Sequence, residues 1–352
     1  MSRRIPAAGT GGYCPPGTTR LRARPIDRTA MSTLPPPQYD VSVILVNYNT
    51  AHLLERCLGD LRRASVGLRV QTLIVDNASK DDSVAVIRER FPDCELIVNQ
   101  VNVGFGRANN QALPRCTGRY VLLLNTDAFV SPDTLSRTLA AMEADRACGV
   151  LGVLLTDSDG SVQPSCRYFP TPWNSFLVHT GLARWFPRAR LIDDPRWDPS
   201  RPAHCDWVPG CYYLIRREVL AQVGLFDPRY FLYMEEVDHC RAVRDAGWTV
   251  RYLPDTRVIH LGGESAKSDG QLSSSGRQLS RLLVESELLY YRKHGGAPLA
   301  AGALAMSTLG CAVVAAKALL RARFRALGQA GADMRLYWRL ARQTGFGRRP
   351  LH

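Results

Sequence analysis

The segment Tyr120-Val-Leu-Leu-Leu-Asn-Thr-Asp127 decides how the chain is read. An apolar run from Tyr120 to Leu124 stops on polar residues and is followed by Ser131-Pro132. A run this short and this apolar predicts a strand covered on both faces, the kind found inside parallel sheets. In open α/β sheets ligands bind beyond the carboxyl ends of the strands, where a carboxylate can hold a divalent cation against a phosphate. Asn125 and Asp127 fall at that edge. The competing reading is a plain turn into a helix capped by Ser131, with Pro132 at its first position. The flanking sequence has to decide.

Toward the N-terminus, Val41-Ser-Val-Ile-Leu-Val46 predicts a buried strand ending on Asn47-Tyr48-Asn49, after which Leu53, Leu54, Cys57, Leu58 and Leu61 recur at helical spacing. Thr72-Leu-Ile-Val75 predicts a second strand ending on Asp76-Asn77, with Ser79 as the cap of a helix carrying Val84, Val86, Ile87 and Phe91. Glu95-Leu-Ile-Val98 gives a third. These alternations, ahead of the Leu122 strand, predict a parallel sheet with right-handed crossovers whose polar strand ends share one crevice. Between the third strand and its helix lies Asn102-Val-Gly-Phe-Gly-Arg-Ala-Asn-Asn-Gln111. Gly104 and Gly106 are placed as in a dinucleotide fingerprint, but the third glycine position is Asn109 and the unit follows the third strand. That argues against a nicotinamide site and for a loop that lets a nucleotide approach the backbone.

The 352 residues allow one large domain or two smaller ones. The formal charge of +13 is carried by the ends: residues 1 to 40 hold six Arg against two Asp, and residues 276 to 352 hold thirteen Lys or Arg against three acids. The part between is close to neutral, which does not fit a protein that tracks a nucleic-acid backbone. An anionic membrane surface suits the C-terminal end better. Ten scattered cysteines without a CxxC pair suggest a reducing compartment and argue against structural zinc. Residues 1 to 38, rich in Arg, Pro, Gly and Thr, lack apolar periodicity and are expected to be disordered, with no secretory signal. Met31 reads as the natural start, and a transit-like segment is the alternative.

After the sheet, Asp157-Ser-Asp-Gly160 is a hairpin turn signal, and Arg167 to Pro209 is rich in Trp, Pro and Arg with little periodicity. Such a stretch can shape an acceptor pocket or be a plain surface excursion. Trp207 to Ile215 returns to strand-like composition, and Arg217 to Val223 to a short helix. An aromatic run from Phe226 then leads into Glu235, Glu236 and Asp238 at the start of a helix. Acids in a first turn can simply complement the helix dipole, but the preceding apolar surface could desolvate these. A short strand ends on His260, which read alone is as well explained as a structural residue. Residues 276 to 294 predict a helix. Leu299 to Ala316 is an uncharged, Ala-rich stretch flanked by basic clusters, so a surface-lying or re-entrant helix is favoured over a single crossing that would strand one cluster, with packing on the core as the alternative.

Taken in order, Val41 to Asn49, Val75-Asp-Asn-Ala-Ser79, Asn102 to Gly106 with Asn109-Asn110, and Leu123-Leu-Asn-Thr-Asp127 resemble the nucleotide-binding half of family 2 glycosyltransferases with the GT-A fold, in their rhamnosyltransferase-like branch. The resemblance covers roughly residues 41 to 265, and four motifs in order are far more specific than one. It implies an α/β fold with a Rossmann-like, mostly parallel sheet and flanking helices. It also implies that Asp76 accepts a hydrogen bond from the base, that Asn47 and Tyr48 wall the base pocket, and that Asn102, Gly104, Phe105 and Asn109 form the nucleotide loop. Asp127 matches the last acid of an Asp-Xaa-Asp motif through which Mg²⁺ or Mn²⁺ bridges the donor diphosphate, and His260 matches a position that completes that metal site. The first acid is Asn125 here, an amide that keeps an oxygen for the ribose or the sugar of the donor but removes one negative charge and so weakens the expected metal affinity. Glu236 matches the catalytic base, with Glu235 as the acceptor-positioning partner and Asp238 serving the helix N-terminus.

The resulting expectation is a glycosyltransferase domain over residues 39 to 275 and a basic, membrane-associating helical extension over 276 to 352. Its substrates would be a nucleoside-diphosphate sugar, with dTDP-L-rhamnose implied by the branch, and a lipid-linked or polysaccharide acceptor. It would act in the cytoplasm on the inner face of the plasma membrane, by inversion and without nucleic acid. A nucleotidyltransferase on a related sheet and a non-catalytic sugar-nucleotide binding protein are the rival readings, separable by whether nucleoside diphosphate, pyrophosphate or nothing is released.

Overall fold

The computed structural model describes residues 36–263 and 281–352. The N-terminal segment expected to be disordered lies almost wholly outside the described residues, as do Glu264, Ser265 and residues 276–280 of the expected helix.

The alternating half consists of β1 (Tyr39–Asn47), α1 (Ala51–Ala64), β2 (Val70–Asp76), α2 (Ser83–Arg90), β3 (Glu95–Val98), α3 (Phe105–Ala112) and β4 (Gly118–Asn125). Its strands lie in the order β3-β2-β1-β4, all parallel. Alternate side chains serve two cores: Val43, Leu45, Ile74, Leu122 and Leu124 pack with α1, while Ile44, Leu73, Val75, Val121 and Leu123 pack with α3. Each such side chain contributes about 1.5–3 kcal/mol relative to exposure, which is why these strands read as continuous apolar runs.

Beyond Asp127 the sheet becomes mixed. It contains β5 (Ala128–Val130), α4 (Thr134–Ala144), β6 (Cys148–Thr156), β7 (Val162–Gln163), α5 (Pro172–Thr180), β8 (Ala203–Cys205), β9 (Tyr212–Arg216), α6 (Arg217–Val223), α7 (Glu235–Asp245) and β10 (Thr249–His260). β9 enters antiparallel between β4 and β6, β10 runs parallel to β6, and the end of β10 returns antiparallel along β5. The Asp157 to Gly160 turn joins β6 to β7, with Gly160 at φ +87° and its N–H donating to the Asp157 carbonyl at 3.0 Å. Two expected caps serve other ends. Asp133, not Ser131, precedes α4, and the Ser131 hydroxyl donates to the Arg257 carbonyl. Asp82, not Ser79, precedes α2, and the Ser79 hydroxyl accepts from Asn47 and Asn49.

The chain closes with α8 (Arg281–Leu320) and α9 (Phe324–Gln343). α8 is broken at Gly296, φ 67° and ψ −161°, where two glycines precede Pro298. Its first half places Leu289, Tyr290 and Tyr291 in the same core as α3, α7 and β9. Its second half forms a hairpin with α9, burying Leu304 and Cys311 against Tyr337 and Leu340. The core is therefore continuous across residue 276.

Candidate active site

Strand register brings the polar ends together. Asn47 pairs with Asp76 across β1 and β2, and Val46 pairs with Asn125 across β1 and β4, so the three strands end level. At this edge a cavity of about 460 Å³ opens. The sheet contributes Tyr48, Asn77, Asn125, Thr126, Asp127 and His260, the glycine loop contributes Asn102, Gly104 and Phe105, and Glu235 and Glu236 enter from the start of α7.

Three residues expected to touch the donor do not line this cavity. Asn47, Asp76 and Asn109 are buried behind it. The Asn47 amide donates to Asp76 Oδ2 at 2.8 Å and to Ser79 Oγ at 3.0 Å, its oxygen accepts from Thr50 at 2.7 Å, and the Ser79 N–H reaches Asp76 Oδ1 at 3.0 Å. These bonds lock the turns after β1 and β2 together and fix the Asp76 carboxylate at the strand end. Asn109 Nδ2 donates to the Phe105 carbonyl inside α3, as an i to i−4 contact on a packed helix face.

Asn77, which sequence reasoning left unassigned, organises the glycine loop. Its amide donates to Asn102 Oδ1 at 2.8 Å and its oxygen accepts from the Val103 N–H at 3.0 Å, while Asn102 Oδ1 also accepts from the Gly104 N–H at 2.9 Å. Gly104 lies at φ +88°, and a Cβ there would stand 2.5 Å from the Phe231 carbonyl oxygen. That oxygen accepts from the Phe105 N–H at 2.9 Å. Only glycine permits this approach, which staples the loop after β3 to the segment before α7. Asn110 adds two bonds to the Phe226 backbone.

Asp127 and His260 form the cation-binding candidate. The antiparallel pairing of β10 with β5 sets His260 opposite Ala128, and its Nε2 lies 3.6 Å from Asp127 Oδ1. Gln163 orients the ring: its Oε1 accepts from His260 Nδ1–H at 2.9 Å, and its Nε2 donates to the His260 carbonyl at 2.8 Å. Burial works against the imidazolium, but the Cys211 sulfur and the carboxylates of Asp127 and Asp157 outweigh it and push the His260 pKa up to about 9. Among the described residues no group of three or more His, Cys, Asp or Glu could hold a metal. One carboxylate and one imidazole nevertheless fit a hard cation that takes its remaining ligands from phosphate oxygens and water.

Glu235 and Glu236 open α7 after Tyr233 and Met234, both in the left-handed region at φ 70° and 69°. Two such residues in sequence cost on the order of 1–3 kcal/mol each and are held by their surroundings. The Ser286 hydroxyl of α8 donates to the Leu232 carbonyl at 2.9 Å, and Phe231 is held by the glycine loop. Glu235 is buried with Oε2 unpartnered, and burial followed by the charge of Glu236 raises its pKa well above the carboxylate range. Burial also raises Glu236, opposed by backbone N–H groups including that of Gly210 and by the charge of Arg167. Burial therefore raises both carboxyls of the pair, with the charge of Glu236 adding to the rise at Glu235.

Asp238 is not spent on its helix terminus. Its carboxylate accepts from Lys293 Nζ and His294 Nε2 of α8, each at 2.7 Å, and Lys293 also reaches Asp227 at 2.7 Å. Other lining residues escaped the sequence reading. Pro209, Gly210 and Cys211 arrive because β9 wedges beside β4, with the Asn125 N–H donating to the Cys211 carbonyl at 3.0 Å. Leu282 arrives from α8, and nothing in its local sequence signals that.

The family model described as Glycosyl transferase family 2 matches residues 42–224. The chain is 32% identical over 242 residues to an N-acetylglucosaminyl-diphospho-decaprenol L-rhamnosyltransferase of Mycobacterium tuberculosis, covering 64% of this chain and 78% of that protein. It is 27% identical over 241 residues to rhamnosyltransferase WbbL of Escherichia coli, covering 65% and 86%. Among solved structures, GalNAc-T7 with UDP, GalNAc and Mn²⁺ is similar over 71% of this chain and 47% of that one, at 15% identity and a TM-score of 0.49.

Proposed function

This chain belongs to glycosyl transferase family 2, a glycosyltransferase of GT-A type fold, and from that premise we propose that it moves an L-rhamnosyl residue from dTDP-L-rhamnose, with inversion, to a lipid-linked N-acetylglucosaminyl acceptor of the cell envelope. The observation that carries the reading is that one cavity joins the Asp127 and His260 pair, the Asn102 to Phe105 loop and Glu236. The names of the two rhamnosyltransferases support the sugar, and that of the mycobacterial protein supports the acceptor class. Membrane association at the cytoplasmic face is part of the proposal, supported by the long apolar α8 and the basic balance of residues 276 to 352.

In this reading Asp127 and His260 would hold a Mg²⁺ or Mn²⁺ ion, which when bound supplies Lewis acidity to the departing diphosphate. The glycine loop gives the nucleotide close access to backbone groups, with Tyr48 beside it and Asn77 fixing the loop's shape. Glu236 accepts the proton of the acceptor hydroxyl as that oxygen attacks the anomeric carbon from the face opposite the leaving group. Glu235, beside it in the cavity wall, positions the acceptor. Purified protein should be offered UDP-, GDP- and dTDP-sugars with a lipid-linked acceptor fraction, reading product mass and released nucleotide. Release of dTDP with a deoxyhexose mass added to the acceptor is the expected result. Turnover with a UDP- or GDP-sugar alone would reject the donor, and release of pyrophosphate would reject the reaction.

A further inference from the structure

We propose that the membrane-binding surface of this protein is bipartite, built jointly by α5 with the turn after it and by the far end of α8, and that its partner is an anionic phospholipid bilayer. The inference rests on the membrane-associated reading above and adds to it a surface from inside the transferase half, in the stretch where the sequence showed only irregular Trp-, Pro- and Arg-rich composition. The two pieces lie side by side. A Cβ on Gly310 would stand 3.0 Å from His179 and 3.6 Å from Phe176, and Lys317 Nζ donates to the Thr180 carbonyl at 2.8 Å. Just past Thr180, Trp185 is 68% exposed, and Phe186, itself exposed, meets the exposed ring of Trp173 edge-on at 5.2 Å. Just past Lys317, Leu319 and Leu320 are 61% and 87% exposed, and Phe324 at the start of α9 is 72% exposed.

Large apolar side chains left in water at this density mark an interaction surface, and the charge around them says which. Residues 172–190 and 299–332 together hold seven Lys or Arg and no Asp or Glu. Aromatic rings and aliphatic side chains among cations, with the nearest acids in sequence, Asp193, Asp194 and Asp333, lying just beyond these two stretches, are the composition of an element lying in the interface of an anionic bilayer. The packing also argues against α8 crossing the membrane alone, because Ala303, Leu304, Gly310 and Cys311 are buried within the protein. An edge-on placement would keep α8 and α5 packed while both dip their outer faces.

The test uses the full chain and vesicles of phosphatidylcholine with or without phosphatidylglycerol, read by co-sedimentation. Trp185→Glu with Phe186→Glu, Leu319→Glu with Leu320→Glu, and a control Val66→Glu on a distant exposed site are compared with the parent. The parent should bind the anionic vesicles and lose affinity in high salt, each double variant should bind at least tenfold more weakly, and Val66→Glu should bind as the parent. Unchanged circular dichroism melting of the variants excludes unfolding as the cause. If the Leu319 and Leu320 variant releases the protein while the Trp185 and Phe186 variant binds as the parent, the surface belongs to the tail alone and the bipartite inference is wrong. A parent that binds no vesicle overturns the membrane reading itself. A parent that forms dimers dissolved by either double variant, without vesicle binding, makes the patch an interface between copies.

Discussion

The two glutamates that open α7 are chemically identical and adjacent, yet their surroundings differ: burial raises both, Glu236 adds its charge against Glu235, and backbone N–H groups with Arg167 oppose the rise at Glu236. Glu236→Gln keeps shape and removes basicity, so kcat should fall by about two to four orders of magnitude with donor affinity nearly intact. Glu235→Gln leaves the proposed base in place, and turnover should fall far less; a larger loss for Glu235→Gln would reverse the assignment. The base works only when ionised, and burial raises the Glu236 pKa, so kcat should decline as pH drops through a value above the ordinary 4.5 of a glutamate. A profile flat down to pH 4.5 would contradict this environment. At the other site, a cation must displace the proton that His260 holds with a pKa of about 9, so Mn²⁺ affinity should climb as pH rises toward that value, with proton release. Calorimetry in buffers of different ionisation enthalpy reads both. Asp127→Ala should abolish turnover and the Mn²⁺ heat alike, and an Asp127→Ala protein that binds donor and Mn²⁺ like the parent would remove Asp127 from the site.

At the scale of elements, the start of α7 is fixed by parts of the chain far from it in sequence. Asp238 is held by Lys293 and His294, which sit immediately before the break of α8 at Gly296. Removing one partner of a buried, hydrogen-bonded charge pair costs roughly 3–5 kcal/mol when the other is left uncompensated; here Lys293 is partly exposed and His294 still holds Asp238, so the cost falls below that. Lys293→Met should therefore lower the melting temperature and also reduce kcat more than KM, since it loosens the helix that carries Glu235 and Glu236. Lys293→Arg should restore much of both. Stability loss without a change in kcat would reduce Lys293 to a structural tie. This part of the site was not legible in the sequence, since Asp238 looked like a residue serving its own helix terminus and its partners lie 55 and 56 positions on. By contrast, Asp127 was legible because a strand buried on both faces must end where its apolar run ends. Asp76 was half legible: its place at a strand end follows from pattern, whereas its engagement by Asn47 and Ser79 depends on the register between β1 and β2.

For the molecule as a whole, the parallel half could be read from local patterns because its first three strands are each followed by a helix. The mixed half could not, because β9 pairs with β4 and β6 only after long excursions and its apolar composition is equally that of a parallel strand. The basic C-terminal helices pose the same problem, reading as an appendage by composition while sharing the core. Ala300 and Ala303 pack with Tyr290 and Tyr291, Leu282 lines the cavity, and the chain end returns to it: the Leu351 N–H donates to Glu285 at 2.7 Å and the His352 ring lies 4.9 Å from that of Phe231. Removing residues 297 to 352 should therefore do two things at once. It should move the protein from membrane to soluble fraction, and it should depress turnover of a water-soluble acceptor analogue, because Phe231 and the α8 segment bearing Ser286 lose support. A simple anchor would show only the first effect. The truncated protein should also melt at a lower temperature, by more than the roughly 2–4 °C that 1 kcal/mol represents in a domain of this size, because Leu304, Cys311, Tyr337 and Leu340 leave Val284 and Leu288 uncovered. If the shortened chain is soluble, melts like the parent and turns over the soluble analogue at the parental rate, the C-terminal helices are a detachable anchor and the coupling argued from the shared core is absent.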